Sequence, residues 1–183
     1  MPVMPAGPVG PGEFERLMQP FEPFEPNPLV AVGVSGGADS TALTLLVHDW
    51  VRVRGGRLIA VTVDHGLRAG SAAEADEVGR RLGARGVDHS VLRWTDGGAG
   101  PGLQARARAA RLDLLAGFCA AHGVFHLLLA HAGEDQAETV LMRLAKGSGV
   151  DGLAGIPAVS ERPQLRLLRP LLPLAKARLE ATC

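Results

Sequence analysis

Three short polar segments carry the residues capable of chemistry. The first, Ser35-Gly36-Gly37-Ala38-Asp39-Ser40, follows an apolar run (29–34) and precedes a helix-like one (41–53). Strand, glycine turn and helix start in that order make an anion site. The first amides of a helix lack intrahelical partners, and the helix dipole favours negative charge there. Gly36 and Gly37 let the backbone approach a phosphate closely. Ser35 and Ser40 add hydroxyl donors. The turn lacks the lysine of a Walker loop and the spacing of a dinucleotide fingerprint. Ser-Gly-Gly alone would read as a tight connection capped by Asp39 and Ser40; six residues in register after a buried-type strand favour the nucleotide site.

The second segment is Asp64-His65-Gly66-Leu67-Arg68, and the third runs from His131 to Thr139. In the third, Asp135 and Glu138 fall three apart in the first turn of a helix, with Glu134 beside them. Acids are common at helix starts. Three crowded carboxylates also suit a magnesium ion bridged to ATP phosphates. Between these segments, Arg108 and Arg111 share a helix face. Two adjacent guanidinium groups repel unless an anion lies between them. They are either solvated surface groups or contacts for a polyphosphate or phosphodiester. Ser71 and Glu74 have capping-box spacing and are assigned to structure.

These segments need elements to hold them. Strand-like stretches at 29–35, 58–64, 88–94 and 124–130 alternate with helix-like ones at 38–54, 71–85, 103–121 and 134–145. A last strand is expected at 165–168 and a last helix at 174–181. Continuous apolar strands between helices indicate an α/β, doubly wound parallel sheet. Right-handed crossovers then bring every strand C-terminus to one edge, where ligands bind in such folds. The glycine-spaced stretch 146–156 reads as a surface loop, a backbone wall for a ligand, or a lid.

The 183 residues suffice for one domain with a core. Formal net charge is zero, so no global basic field points to nucleic acid. The basic residues Arg162, Arg166, Arg169, Lys176 and Arg178 nevertheless occupy a stretch without acids, either a solvated face or an edge that meets phosphates. Cys119 and Cys183 form no metal or disulfide framework. Residues 1–28, proline-rich and without a signal-peptide pattern, read as a mobile tail with one turn of helix near 13–18. Residues 29–183 then read as one folded domain. No apolar run is long enough to span a membrane, and a cytoplasmic location is expected.

The first hexapeptide resembles the signature of the PP-loop pyrophosphatase superfamily, which cleaves ATP to AMP and pyrophosphate. Several pieces together resemble one family within it, tRNA(Ile)-lysidine synthetase. They are the hexapeptide, Val-Asp-His-Gly-Leu-Arg (63–68), Ala-Arg-Ala-Ala-Arg (107–111), Ala-His-Ala-Gly-Glu-Asp-Gln-Ala-Glu-Thr (130–139), Gly-Ser-Gly-x-x-Gly-Leu-Ala-Gly (147–155) and Arg-Pro-Leu-Leu (169–172). The resemblance implies an adenine nucleotide alpha hydrolase-like fold and two substrates besides ATP: free lysine and an isoleucine tRNA with a CAU anticodon. It implies adenylation of the wobble cytidine, then attack by the lysine amine. Asp39, Arg108, Arg111, Asp135 and Glu138 would be catalytic. Ser35, Gly36, Gly37, Ala38, Asp39, Ser40, His65 and His131 would bind the cofactor ATP. Asp39 and Asp135 would serve Mg2+. The chain departs from the family at Ala132 (usually histidine), Glu134 (usually aspartate) and Leu112 (usually tyrosine). Family members also continue into tRNA-gripping segments, which are expected to be absent here. The alternatives are another PP-loop tRNA-modifying enzyme and a non-catalytic or truncated nucleotide-binding remnant.

Overall fold

A computed structural model describes residues 7–66, 70–95, 102–145, 147 and 154–183, with 104 and 105 by backbone only. The elements in chain order are α1 (Pro11–Met18), β1 (Leu29–Gly33), α2 (Ala38–Val53), β2 (Arg57–Asp64), α3 (Ser71–Gly83) and β3 (Asp88–Arg93). They continue with α4 (Leu103–Ala121), β4 (His126–Leu129), α5 (Gly133–Ala145), β5 (Val159–Arg162), β6 (Leu165–Leu168) and α6 (Lys176–Thr182). Among the described residues, no helix is long and apolar enough to cross a membrane.

The strands form one sheet in the order β3-β2-β1-β4-β6-β5, parallel except for β5. The chain moves outward from β1 through β2 to β3, then returns to place β4 on the other side of β1. The strand order therefore reverses between β1 and β4. Their C-terminal ends open a crevice there, the usual ligand position of such sheets. The Ser35 turn follows one wall of it and His131 the other.

Alternation along each strand explains why the strands are apolar on both faces. Val30, Val32, Leu58, Ala60, Leu128 and Leu168 point into a cluster with α2 and α6. Ala31, Val61, Leu127, Leu129, Leu165 and Leu167 point to the opposite cluster, which contains Leu115 and Cys119 of α4. A period of two with both faces covered reads in sequence as an unbroken apolar run. Expected and observed elements therefore agree closely, and α4 agrees residue for residue.

Three expectations fail. Residues 7–28 are not a tail. Phe14 and Met18 are each 1% exposed in the core. Arg178 of α6 donates two 2.7 Å hydrogen bonds to Glu13 of α1. The Val9 amide donates to the Thr182 hydroxyl. Proline density hid an amphipathic turn whose apolar side seals α2 and α6. Second, β5 was not anticipated. Val-Ser-Glu-Arg has no apolar period, and it pairs only because Pro163 and Gln164 (φ 61°) turn the chain back onto β6. Third, Ser71 does not cap α3. Gly70 occupies the cap position with no side-chain bond, and the Ser71 hydroxyl donates to Asp64 instead. Most of the glycine-spaced stretch 146–156, with Leu67 and Arg68, lies outside the described residues.

Candidate active site

The glycine turn is held by its own hydroxyls. The Ser35 amide donates to Ser40 Oγ at 3.2 Å, and Ser40 Oγ donates to the Gly37 carbonyl at 3.0 Å. Neither Asp39 nor Ser40 caps α2, whose cap residue is Gly37. Ser40 is buried, while Ser35, Gly36, Gly37 and Ala38 are exposed. The turn is thus closed beneath and open above, as a phosphate cradle must be. Gly36 has φ 84°, and a Cβ there would meet Val78 at 3.0 Å. A side chain at position 36 is therefore both strained and crowded.

Three clefts meet at this edge. The first, about 480 Å³, lies between β1, β2 and α3, walled by Val34, Val61, Val63 and Val78 with Ser35, Asp64 and His65. Its walls suit a planar heterocycle. The second, about 180 Å³, is lined by Arg108, Arg111, His131 and Arg169 over Leu112, Leu115 and Leu129. The third, about 340 Å³, holds Ser35, Gly37, Ala38, Asp39, Ser40, His131, Asp135 and Lys176. Arg111 borders all three.

In the third cleft the acids are compensated from within. Lys176 Nζ donates to Asp135 Oδ1 at 2.9 Å and lies 3.8 Å from Asp39 Oδ2. Asp135 Oδ2 also accepts the Ala132 amide at 2.8 Å. Burial works to raise the Asp135 pKa, but that amide and Lys176 outweigh it and hold the carboxyl below its ordinary range. Burial raises Asp39, with Lys176 opposing. The hydrogen bond to Asp135 raises Lys176. Glu134 accepts the Lys176 amide through both carboxylate oxygens at 3.0 Å, tying α5 to the start of α6. Glu138 is exposed on α5 and lines none of the three clefts; its expected place in the site is not observed.

The basic groups have no such compensation. Among the described residues Arg108, Arg111 and Arg169 have no carboxylate partner. Burial lowers the pKa of Arg111 and of Arg169, and Arg108 adds to both effects. Burial, then Arg169, pushes His131 down to about 4, so its imidazole is neutral at pH 7. His65 is lowered by burial and then by Arg111, and stands edge-on to Trp94 at 5.7 Å. Asp64 is lowered by the Ser71 hydroxyl and the Gly66 amide; it anchors the His65 loop. Buried Nδ1 atoms of both histidines lack a partner.

The described residues contain no group of three or more histidine, cysteine or acidic side chains placed to hold a metal. The Asp39–Asp135 pair fits magnesium only in the pattern of one or two carboxylates plus substrate phosphates.

Sequence reading left Lys176 and Arg169 out of the site residues, although their basic stretch reads as a solvated face or an edge that meets phosphates. Arg169 directly follows β6, just as His131 closely follows β4, so the parallel topology itself placed it at this edge. Lys176 gave only the weaker signal of a basic stretch. The family departures have local causes. Ala132 is fully buried in the core, where its methyl faces apolar neighbours rather than the clefts. Glu134 reaches the α6 backbone, and Leu112 forms part of the apolar wall of the second cleft.

Comparison with known proteins agrees with this geometry. A solved structure of the U34-tRNA thiolase NcsA from Methanococcus maripaludis superposes with a TM-score of 0.76 at 18% identity, over 92% of this chain and 61% of that one; it is a likeness of fold. A tRNA(Ile)-lysidine synthase of Bradyrhizobium sp. strain BTAi1 is 48% identical over 177 residues, 96% of this chain and 49% of the relative. One of Rhodopseudomonas palustris is 46% identical over 172 residues, 93% and 49% respectively. The chain spans about half the length of the curated relatives it matches. The family description "PP-loop domain" matches residues 12–183. With its glycine turn at the β1–β4 crevice and that match across nearly its whole length, the chain belongs to the PP-loop domain family.

Proposed function

We propose that the chain is the ATP-binding, adenylating part of a tRNA(Ile)-lysidine synthase. ATP would lie with its adenine in the first cleft and its phosphates over Ser35 to Ser40. The wobble cytidine O2 of the CAU-anticodon isoleucine tRNA attacks the α-phosphorus, and the bond to the β-phosphate oxygen breaks, releasing pyrophosphate. The amine of free lysine then attacks C2, and AMP leaves. The observation that carries this reading is Arg111, which borders the heterocycle cleft, the phosphate turn and the second cleft at once. A half-buried guanidinium at that junction would stabilise charge that grows on the α-phosphate during transfer. The names of the curated relatives support lysidine as the product.

The residues divide the work. The glycine-turn amides and Ser35 donate to phosphate oxygens. Lys176 keeps Asp39 and Asp135 from repelling the triphosphate, a role the turn itself cannot fill because it has no lysine. Magnesium, when bound, would neutralise phosphate charge, with Asp39 and Asp135 as its protein carboxylates. His131, neutral, does not add to the cationic crowd.

The test is AMP release from α-labelled ATP with magnesium, with and without a CAU-anticodon isoleucine tRNA transcript and lysine. AMP that requires the transcript and rises with lysine is the expected result. AMP formation indifferent to both would refute the assignment.

A further inference from the structure

Consecutive residues of α5 serve different neighbours. Asp135 faces the third cleft, where it meets Lys176. Gln136 projects about 100° further around the helix and lines none of the three clefts. Its Nε2 donates to the Ile156 carbonyl at 3.1 Å, and its Oε1 accepts the Ile156 amide. One side chain thus satisfies both backbone groups of one residue, a task suited to a carboxamide with its donor and acceptor side by side. The fit is close. Gly155 is buried with φ 69°, and a Cβ there would lie 2.6 Å from Gln136 Oε1. Position 155 therefore needs glycine both for its backbone and for the amide packed on it. Arg143, two turns further along α5, donates to the Gly155 carbonyl at 3.0 Å.

The segment so held is the one that fixes Arg169. Arg169 Nη1 donates to the Pro157 carbonyl at 2.8 Å and to Ser160 Oγ at 2.9 Å, and the Arg169 amide donates to the Ala158 carbonyl at 2.9 Å. Residues 157–160 therefore set where the guanidinium stands. After Ala158 the chain is tied down by the pairing of β5 with β6. Before it, among the described residues, Gln136 and Arg143 tie it to α5. Arg169 is 9% exposed and, of the three clefts, lines only the second. We propose that Gln136 is a positioning residue: through Ile156 and Pro157 it aims Arg169 into the second cleft, and so governs engagement of the RNA substrate while leaving ATP binding alone. The proposal rests on the adenylating reading above, in which ATP occupies the first and third clefts and the tRNA is the remaining anion. It gives the start of α5 two separate duties, Asp135 toward the phosphates and Gln136 toward Arg169.

The test is a double-mutant cycle of Gln136→Met and Arg169→Met, with AMP release measured against the tRNA transcript and against ATP. Gln136→Met keeps the length of the side chain and removes both hydrogen bonds. It should raise KM for the transcript about tenfold and leave KM for ATP within about twofold. In the Arg169→Met background it should have no further effect on the transcript. Gly155→Ala strikes the same contact from the other side and should reproduce Gln136→Met. Gln136→Glu keeps the acceptor and should fall between. Equal rises in both KM values, or effects that multiply in the double variant, would overturn the proposal. A second readout needs no turnover. The Arg169 Nε–H signal of the ligand-free protein, identified in a heteronuclear NMR spectrum by its loss in Arg169→Met, should shift in Gln136→Met; an unchanged signal would overturn the proposal. If Gln136→Met does not fold, Gly155→Ala decides. Absence of AMP from the unaltered protein refutes the adenylating reading, and the NMR signal then still decides whether Gln136 aims Arg169.

Discussion

The third and second clefts share Arg111 and His131 but handle charge in opposite ways. Asp39 and Asp135 share Lys176, a residue of the same chain, whose single charge offsets part of theirs. Among the described residues, Arg108, Arg111 and Arg169 have no carboxylate partner. The first arrangement has an opposite charge within the chain; the second, among the described residues, has none. A compensated cluster keeps its shape while a polyphosphate comes and goes. An uncompensated one draws an anion in. The contrast also separates roles that residue types alone confuse, since acids in such a site suggest metal and arginines suggest ATP. Here the acids hold a lysine of the chain even before any metal binds, and the arginines reach beyond the phosphate turn.

The largest effect is expected from Arg111, one of the two residues common to both clefts. Arg111→Met should lower AMP formation by about a hundredfold or more, the scale seen when one donor to a developing charge is removed. Its melting temperature should not fall, because burial of a repelled guanidinium is relieved. Turnover and thermal melts on one preparation check both halves. Lys176→Met would convert the compensated cleft into an uncompensated acidic one. ATP binding should weaken about tenfold, and Lys176→Arg should restore much of it, as measured by calorimetry. Equal affinity in Lys176→Met would detach the acids from the phosphates.

A smaller effect comes from the segment that holds α6, and so Lys176, in place. The Arg178 hydrogen bonds hold Glu13 below its ordinary value of 4.5. A depressed carboxyl stabilises the fold fully above its unfolded pKa, and that contribution is lost as pH falls through the folded one. Glu13→Gln should therefore lower the melting temperature at pH 7 and flatten its decline below about pH 4.5. The smallest effect concerns His131. Its folded pKa of about 4 lies below the ordinary 6.5, so the unfolded chain binds the proton first and stability falls as pH drops through that interval. His131→Gln should remove that slope, while anion binding in the second cleft should reduce it.

Much of this was legible from the chain. Apolar strands such as 29–34 between helices dictate the parallel sheet, and the sheet dictates that Ser35, Asp64 and His131 converge. What was not legible depended on long-range packing. Phe14 and Met18 seal α2 and α6 from a proline-rich segment that looks unstructured, because composition does not reveal an apolar stripe with a surface waiting for it. Lys176 reaches Asp135 across 41 positions, and no local spacing encodes that pairing. Glu138 shares the helix-start position of Asp135 but not its face toward the cleft. Spacing of three sets neighbours on a helix; only the packing of α5 decides which of them looks inward.

The most direct measurement is a lysine-free incubation of the protein with α-labelled ATP, magnesium and the isoleucine tRNA transcript. Attack at the α-phosphorus predicts label held on the RNA, with pyrophosphate released, and AMP freed when lysine is added. Release of ADP and inorganic phosphate, or no labelled RNA from folded protein that binds ATP, would contradict an adenylating site in this chain.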